Sequence, residues 1–133
     1  LKDYQNAADA YNELLLKFPD YEKADETKKL VYDLSQINSY MEYEKTMKLF
    51  DARNYEKAIE ELKKLFEKYP DASIAVGCQV NIAASYEMLE DFRAAARWYK
   101  QIIDNYSKSE DDNERGAVNF AKEHLEWIQD NYL

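Results

Sequence analysis

The stretch Asn54–Pro70, NYEKAIEELKKLFEKYP, decides the fold class. Ala58, Ile59, Leu62, Leu65, Phe66 and Tyr69 recur at spacings of three, four and seven, which gathers them into one apolar stripe on a helix. Glu56, Lys57, Glu60, Lys63, Lys64 and Glu67 occupy the other face. Asn54 is placed to cap the first turn, because its side-chain oxygen can accept from a free backbone N–H there. Glu60 and Lys64 form an i,i+4 pair in the favourable order, contributing about 0.2–0.5 kcal/mol. Pro70 ends the helix, having no N–H and pushing Tyr69 out of helical geometry.

The same pattern occurs before and after this stretch. Asp3–Pro19 reads DYQNAADAYNELLLKFP and Asp91–Ser107 reads DFRAAARWYKQIIDNYS. A capping residue and an aromatic open each copy: Asp3-Tyr4, Asn54-Tyr55, Asp91-Phe92. A small residue follows at Ala7, Ala58 and Ala95, then a larger one at Tyr11, Leu62 and Tyr99. Aliphatics stand at Leu14, Leu65 and Ile102, and aromatics at Phe18, Tyr69 and Tyr106. The copies are offset by 51 residues (7 to 58) and 37 residues (58 to 95). Self-similarity at such a period marks stacked helical units.

Composition restricts the alternatives. Hydrophobic residues make up 46% of the 133, enough for a core, and only two Gly and two Pro argue against a loop-rich all-β chain. No run alternates with period two, so the fold class is all-α. With 27 acidic and 18 basic residues the net charge is −9, which lacks the cationic footprint of a nucleic-acid binder and disfavours anionic membrane surfaces. The acidity reads either as a solvated surface or as a preference for basic partners. No span of eighteen apolar residues is present, so direct membrane insertion is not expected. The single cysteine, Cys78, cannot form an intramolecular disulfide and reads as a buried core thiol.

Along the chain, residues 1–19 read as one helix closed by Pro19, with an apolar stripe of Ala7, Tyr11, Leu14 and Leu15 that lacks a preceding partner helix. Together with the start at Leu1, inside what looks like a repeat, this suggests a fragment of a longer array. Residues 20–53 are the irregular part. Leu30, Leu34, Ile37 and Met41 form one stripe; Tyr40, Tyr43, Met47 and Phe50 form another, rotated from the first. Ser39 and Glu42 could form a capping box between two helices, but no Gly or Pro enforces a break, and one long helix of about 30 residues with a drifting buried face is the preferred reading. Residues 54–106 hold the organising helix, a helix over Ala72–Leu89 rich in small residues, and the helix Asp91–Tyr106. After the polar loop SKSEDD, residues 107–133 carry a capping helix over Glu114–Tyr132, with Val118, Ala121, Leu125 and Ile128 on one face.

These residues resemble the tetratricopeptide repeat (TPR) family, a helix–turn–helix unit with the pattern W-x2-L-G-x2-Y…A-x3-F…P. In the best copy the slots hold Ile82, Ala83, Tyr86, Ala95 and Tyr99, with Gln79 in place of Trp and Ser107 in place of Pro. The middle copy matches in its second helix at Ala58, Leu62 and Pro70. It departs in its first, with Glu42, Lys45, Thr46 and Leu49 in the four slots. The first copy has Ala7, Tyr11 and Pro19. The resemblance implies one TPR-like domain over residues 1–133, an antiparallel helix-hairpin repeat winding into a right-handed superhelix. The loops EKYPDAS and DNYSKSE resemble those of bacterial cell-envelope TPR proteins, which implies a periplasmic or envelope setting.

The resemblance also implies a function: a non-catalytic scaffold whose concave face binds a peptide or helix of another protein, amphipathic or basic in character. First helices of the hairpins line that face, which points to Tyr40, Tyr43, Met47 and Phe50, then Gly77, Val80, Ala84 and Glu87 as partner-binding residues. The other reading of Tyr40–Phe50 is packing against the helix before it. TPR domains that grip a C-terminal carboxylate use Lys, Arg and Asn on these helices. Tyr43, Met47, Val80 and Ala84 stand there instead, so that chemistry is not expected. Two further functions are open: self-assembly as a homo-oligomer, with the uncovered face of residues 3–18 and the groove pairing between copies, and a glycan platform using Trp98, Trp127 or some of the 12 Tyr. No catalytic set is expected: His124 stands alone, and no Gly-rich phosphate loop occurs. Glu110-Asp111-Asp112 lacks the ligand spacing and turn Gly of a calcium loop, so neither metal nor cofactor is expected.

Overall fold

A computed structural model describes residues 2–18 and 22–133. The described residues are all-helical, with no strand: α1 (Lys2–Lys17), α2 (Ala24–Asp51), α3 (Tyr55–Lys68), α4 (Ala75–Met88), α5 (Phe92–Tyr106) and α6 (Asp112–Tyr132). Helices adjacent in sequence pack on one another, and the short connections after α2 make them antiparallel. Two contacts skip a helix, α2 with α4 and α4 with α6.

Helix α3 buries the stripe read from its sequence. Ala58 and Leu62 are fully buried and Ile59 and Leu65 nearly so, while Lys64 pairs with Glu60 at 3.4 Å on the outer face. They meet Ile74, Cys78 and Ile82 of the following segment in one core. A second core joins α4, α5 and α6 through Ala83, Ala95, Tyr99, Ile102, Ala121 and Ile128. Helix α4 stands between the two, which explains why its sequence has no polar face: neighbours cover it on several sides. Small residues permit that crowding. Gln79, in the slot where the repeat pattern has Trp, is buried and donates to the Tyr106 hydroxyl at 2.7 Å and the Ala75 carbonyl at 3.2 Å.

The 37-residue spacing between Ala58 and Ala95 extends to the backbone. In the turn after α2, the N–H groups of Ala52, Arg53, Asn54 and Ala58 donate to the carbonyls of Lys48, Phe50, Leu49 and Asn54. In the turn after α4, Leu89, Glu90, Asp91 and Ala95 donate to Ser85, Glu87, Tyr86 and Asp91, one for one. Arg53 and Glu90 each have φ of 61°, the left-handed conformation that closes a helix. Both α3 and α5, and both α4 and α6, begin at the same spacing.

Helix α2 is one continuous helix of 28 residues against 14 in α4. The excess matches the difference between the two sequence offsets, so the insertion has become four extra turns at the N-terminal end of α2. No capping box forms at its middle: Ser39 is inside the helix and its hydroxyl donates back to the Gln36 carbonyl at 2.8 Å. The buried residues of the extension are Ala24, Thr27 and Leu34, with Asn38 just after it. Leu30, Ile37 and Met41 of the expected stripe remain exposed. Helix α1 contacts α2 alone. Its Ala8 is buried, whereas Tyr11 is exposed and Leu14 and Leu15 are half-buried.

Two capping expectations are corrected. Asn54 makes no side-chain capping bond, while Asp91, at nearly the same φ and ψ, accepts from the Ala94 N–H at 3.2 Å. A carboxylate gains more than an amide from the positive end of a helix. Asp3 lies inside α1 rather than ahead of it. Pro19, expected to end α1, lies outside the described residues.

Candidate functional site

Helices α2, α4 and α6 run side by side, tied by polar contacts between residues 37 or 38 apart in sequence. Gln36 Oε1 accepts from the backbone N–H and hydroxyl of Ser73 at 3.1 and 3.2 Å, a separation of 37 residues. Asn81 donates to the Tyr43 hydroxyl at 2.7 Å and to the Gly77 carbonyl at 2.9 Å. Glu87 takes His124 Nδ1 at 2.9 Å, again across 37 residues. Gly77 sets the distance between α2 and α4. A Cβ there would lie 2.9 Å from the Tyr43 hydroxyl and 3.2 Å from its ring carbon.

This arrangement leaves a cleft of about 470 Å³ across the three helices. Tyr40 and Tyr43 of α2, Gly77, Val80 and Asn81 of α4, and Gly116 and Phe120 of α6 line it, with Asn113 and Ala117 beside them. Tyr40 is 54% exposed at its rim, and Glu44 beside it raises the pKa of its hydroxyl, by hydrogen bonding first and charge second. Tyr43 reaches deeper. Burial pushes its hydroxyl up to about 12, so it is a neutral hydrogen-bonding group at any physiological pH. The lining is aromatic and apolar with amide and hydroxyl groups interspersed, and it contains no charged side chain.

Of the residues expected to bind a partner, Tyr40, Tyr43 and Val80 come together here, with Gly77. Met47 and Phe50 are half-buried against the α3–α4 core, Phe50 meeting Tyr55 edge-on at 5.4 Å. Ala84 is half-buried on α4 and does not line the cleft. Glu87 lines a smaller recess with Glu123, His124 and Trp127. There His124 stacks on Phe120 at 4.0 Å, and the buried Tyr99 ring lies 5.6 Å away. Burial, then the charge of Glu87, raises the pKa of the Tyr99 hydroxyl.

The α6 residues of the cleft were missed in the sequence because that helix reads as an end piece. A signal was available: continuing the 37-residue period from Val80 and Glu87 lands on Ala117 and His124. Elsewhere, Cys78 is fully buried, and burial pushes its thiol up to about 12, which keeps it protonated and unreactive. Among the described residues no three His, Cys, Asp or Glu side chains are grouped to hold a metal ion. No described helix is long and apolar enough to cross a membrane.

A search of curated proteins finds no match to this chain. One family profile matches residues 44–128, well over half of the chain. That range omits α1, the N-terminal extension of α2 and the two α2 residues of the cleft, Tyr40 and Tyr43, and it takes in the cleft residues of α4 and α6. The chain belongs to the family described as Domain of unknown function (DUF6340).

Proposed function

We propose that this protein is a non-catalytic, TPR-like interaction module that holds a segment of another protein in the cleft across α2, α4 and α6. The observation that carries this reading is the side-by-side run of those helices. Side chains from three units converge on one concave, uncharged, aromatic lining. In a superhelix of stacked hairpins the first helices line the inner face. A lining of Tyr, Phe and Val with a few amides suits an amphipathic helix or extended apolar segment, which contributes affinity through a few buried anchors.

Gly116 gives a clean test, because a Cβ there meets nothing within 4 Å. Gly116→Phe would fill the mouth of the cleft without displacing the core. Peptides selected from a random display library against the wild-type chain should lose binding to Gly116→Phe, with the melting temperature unchanged or raised. Selected peptides that bind both proteins equally would refute the reading. Self-association is a second reading, favoured by the exposure of Leu16 (83%) on α1, Phe18 just after it and Tyr32 on the α2 extension. Solution mass measured against concentration decides it.

A further inference from the structure

The groove between the C-terminal half of α2 and α3 is built from positions that a helix covers in the next unit. There, α3 packs on α4 and meets α5 through the Trp98 side chain: Ile82 joins Ala58, Ile59, Leu62 and Leu65 in one core, and Tyr86 and Trp98 pack against it. Lys63 of α3 reaches over both rings and its Nζ lies 2.7 Å from the Tyr86 hydroxyl. One period earlier, the positions of Ile82, Tyr86 and Trp98 are held by Lys45, Leu49 and Glu61. No described helix sits on them. Helix α1 precedes α2 as α3 precedes α4, but it contacts α2 alone, and the residues buried along the extension are Ala24, Thr27 and Leu34.

What remains is an open groove of about 400 Å³ with Leu49 and Leu65 on its floor and Lys45, Lys57, Lys64 and Lys68 around it, against Glu42 and Glu61. Four lysines to two carboxylates reverses the sign of a chain whose net charge is −9. Lys68 pairs with Glu42 at 3.0 Å, and Lys64 lies within 3.5 Å of Glu60 and Glu61. Lys45 and Lys57 make no ion pair among the described residues.

We propose that this groove is a second docking site, and that its occupant is an acidic amphipathic helix of another protein. Shape supplies the helix, since α3 fills the equivalent seat one unit on. Charge supplies the acidity: carboxylates flanking an apolar stripe would meet Lys45 and Lys57 while the stripe covers the half-buried Leu49, beside the already buried Leu65. A basic helix, which the overall charge of the chain would attract, is repelled locally, because screening limits each charge to about 8–10 Å at physiological salt. The site faces away from the α2–α4–α6 cleft: Glu42, Lys45 and Leu49 share one face of α2, and Tyr40 and Tyr43 lie on another.

The test uses the full chain and two synthetic helical peptides of the length of α3, each with leucines at i, i+3 and i+7. One carries glutamates on both flanks and the other lysines, and binding is read by fluorescence anisotropy. The acidic peptide binds, more weakly as salt is raised, and the lysine peptide does not. Lys45→Glu with Lys57→Glu, both exposed and checked for helicity by circular dichroism, weakens the acidic peptide by about tenfold or more and admits the lysine peptide. Failure of the acidic peptide to bind, equal binding of both peptides, or undiminished binding to the double variant overturns the proposal. So does a wild-type chain that dimerises through this groove and excludes the peptide.

Discussion

Arg53 and Glu90 adopt the same left-handed backbone conformation, φ 61° at each, in turns whose hydrogen bonds correspond one for one. Neither is glycine, so each strains the Cβ by about 1–2 kcal/mol. Glycine relieves that strain but loses more chain entropy on folding. Arg53→Gly and Glu90→Gly should therefore each stabilise by a net amount of about 0.5–1 kcal/mol, and Glu90→Val should destabilise by about 1–2 kcal/mol, because a β-branched residue fits this region worst. Urea unfolding midpoints check all three.

The two small positions in α3 and α5 should respond alike. Ala58 and Ala95 are both fully buried at helix crossings. Leucine at either overpacks the contact and should cost about 1–3 kcal/mol. An Ala95→Leu protein that melts within a degree or two of the parent would mean that the alignment of the units is wrong.

Much of the fold was readable before any coordinates. The stripes of α3 and α5, the small contact residues and the 37-residue spacing follow from residue type alone, because one-sided burial imposes a period on the sequence. The face of the α2 extension was not readable. Of the expected stripe only Leu34 is buried there; the rest of the face is carried by Ala24 and Thr27, whose size and polarity conceal burial, while Leu30 and Ile37 are exposed. Half of the cleft was hidden for another reason. Gly116 and Asn113 contribute by leaving space and offering an amide, and neither adds to an apolar stripe. The missing capping bond at Asn54 shows that a permissive residue at a cap position does not guarantee its use.

Gly77 and Tyr43 should be energetically coupled. Gly77→Ala gains about 1 kcal/mol of helix propensity but drives a Cβ to 2.9 Å from the Tyr43 hydroxyl, endangering its bond to Asn81. The net effect should be destabilising. In a Tyr43→Phe background the nearest clashing atom is gone, so the same change should be tolerated. A double-mutant cycle by chemical denaturation should give a coupling of at least about 0.5 kcal/mol; additive effects would mean that α2 and α4 are not held at this distance.

Stability should fall on the alkaline side. Burial raises Cys78 from 9.0 and Tyr43 from 10.0, each to about 12, and raises Tyr99 as well. Below about pH 9 these groups are protonated in both states and do not oppose folding. Between the unfolded and folded values the unfolded chain loses protons first, so the folded state binds more protons and its stability declines as pH rises towards 12. Melting temperatures from pH 8 to 11 should drop, and Cys78→Ala should flatten the first part of that slope.

Site-specific photo-cross-linking in the native host tests the central claim most directly. A photoreactive residue at Tyr40 or Asn113, on the two walls of the cleft, should trap the same partner. One at Arg97 or Lys100, exposed on α5, should not. The Gly116→Phe change should remove the cross-links at both cleft positions. Trapping of that partner from Arg97 or Lys100 as efficiently as from the cleft, or cross-links that survive Gly116→Phe, would contradict the account.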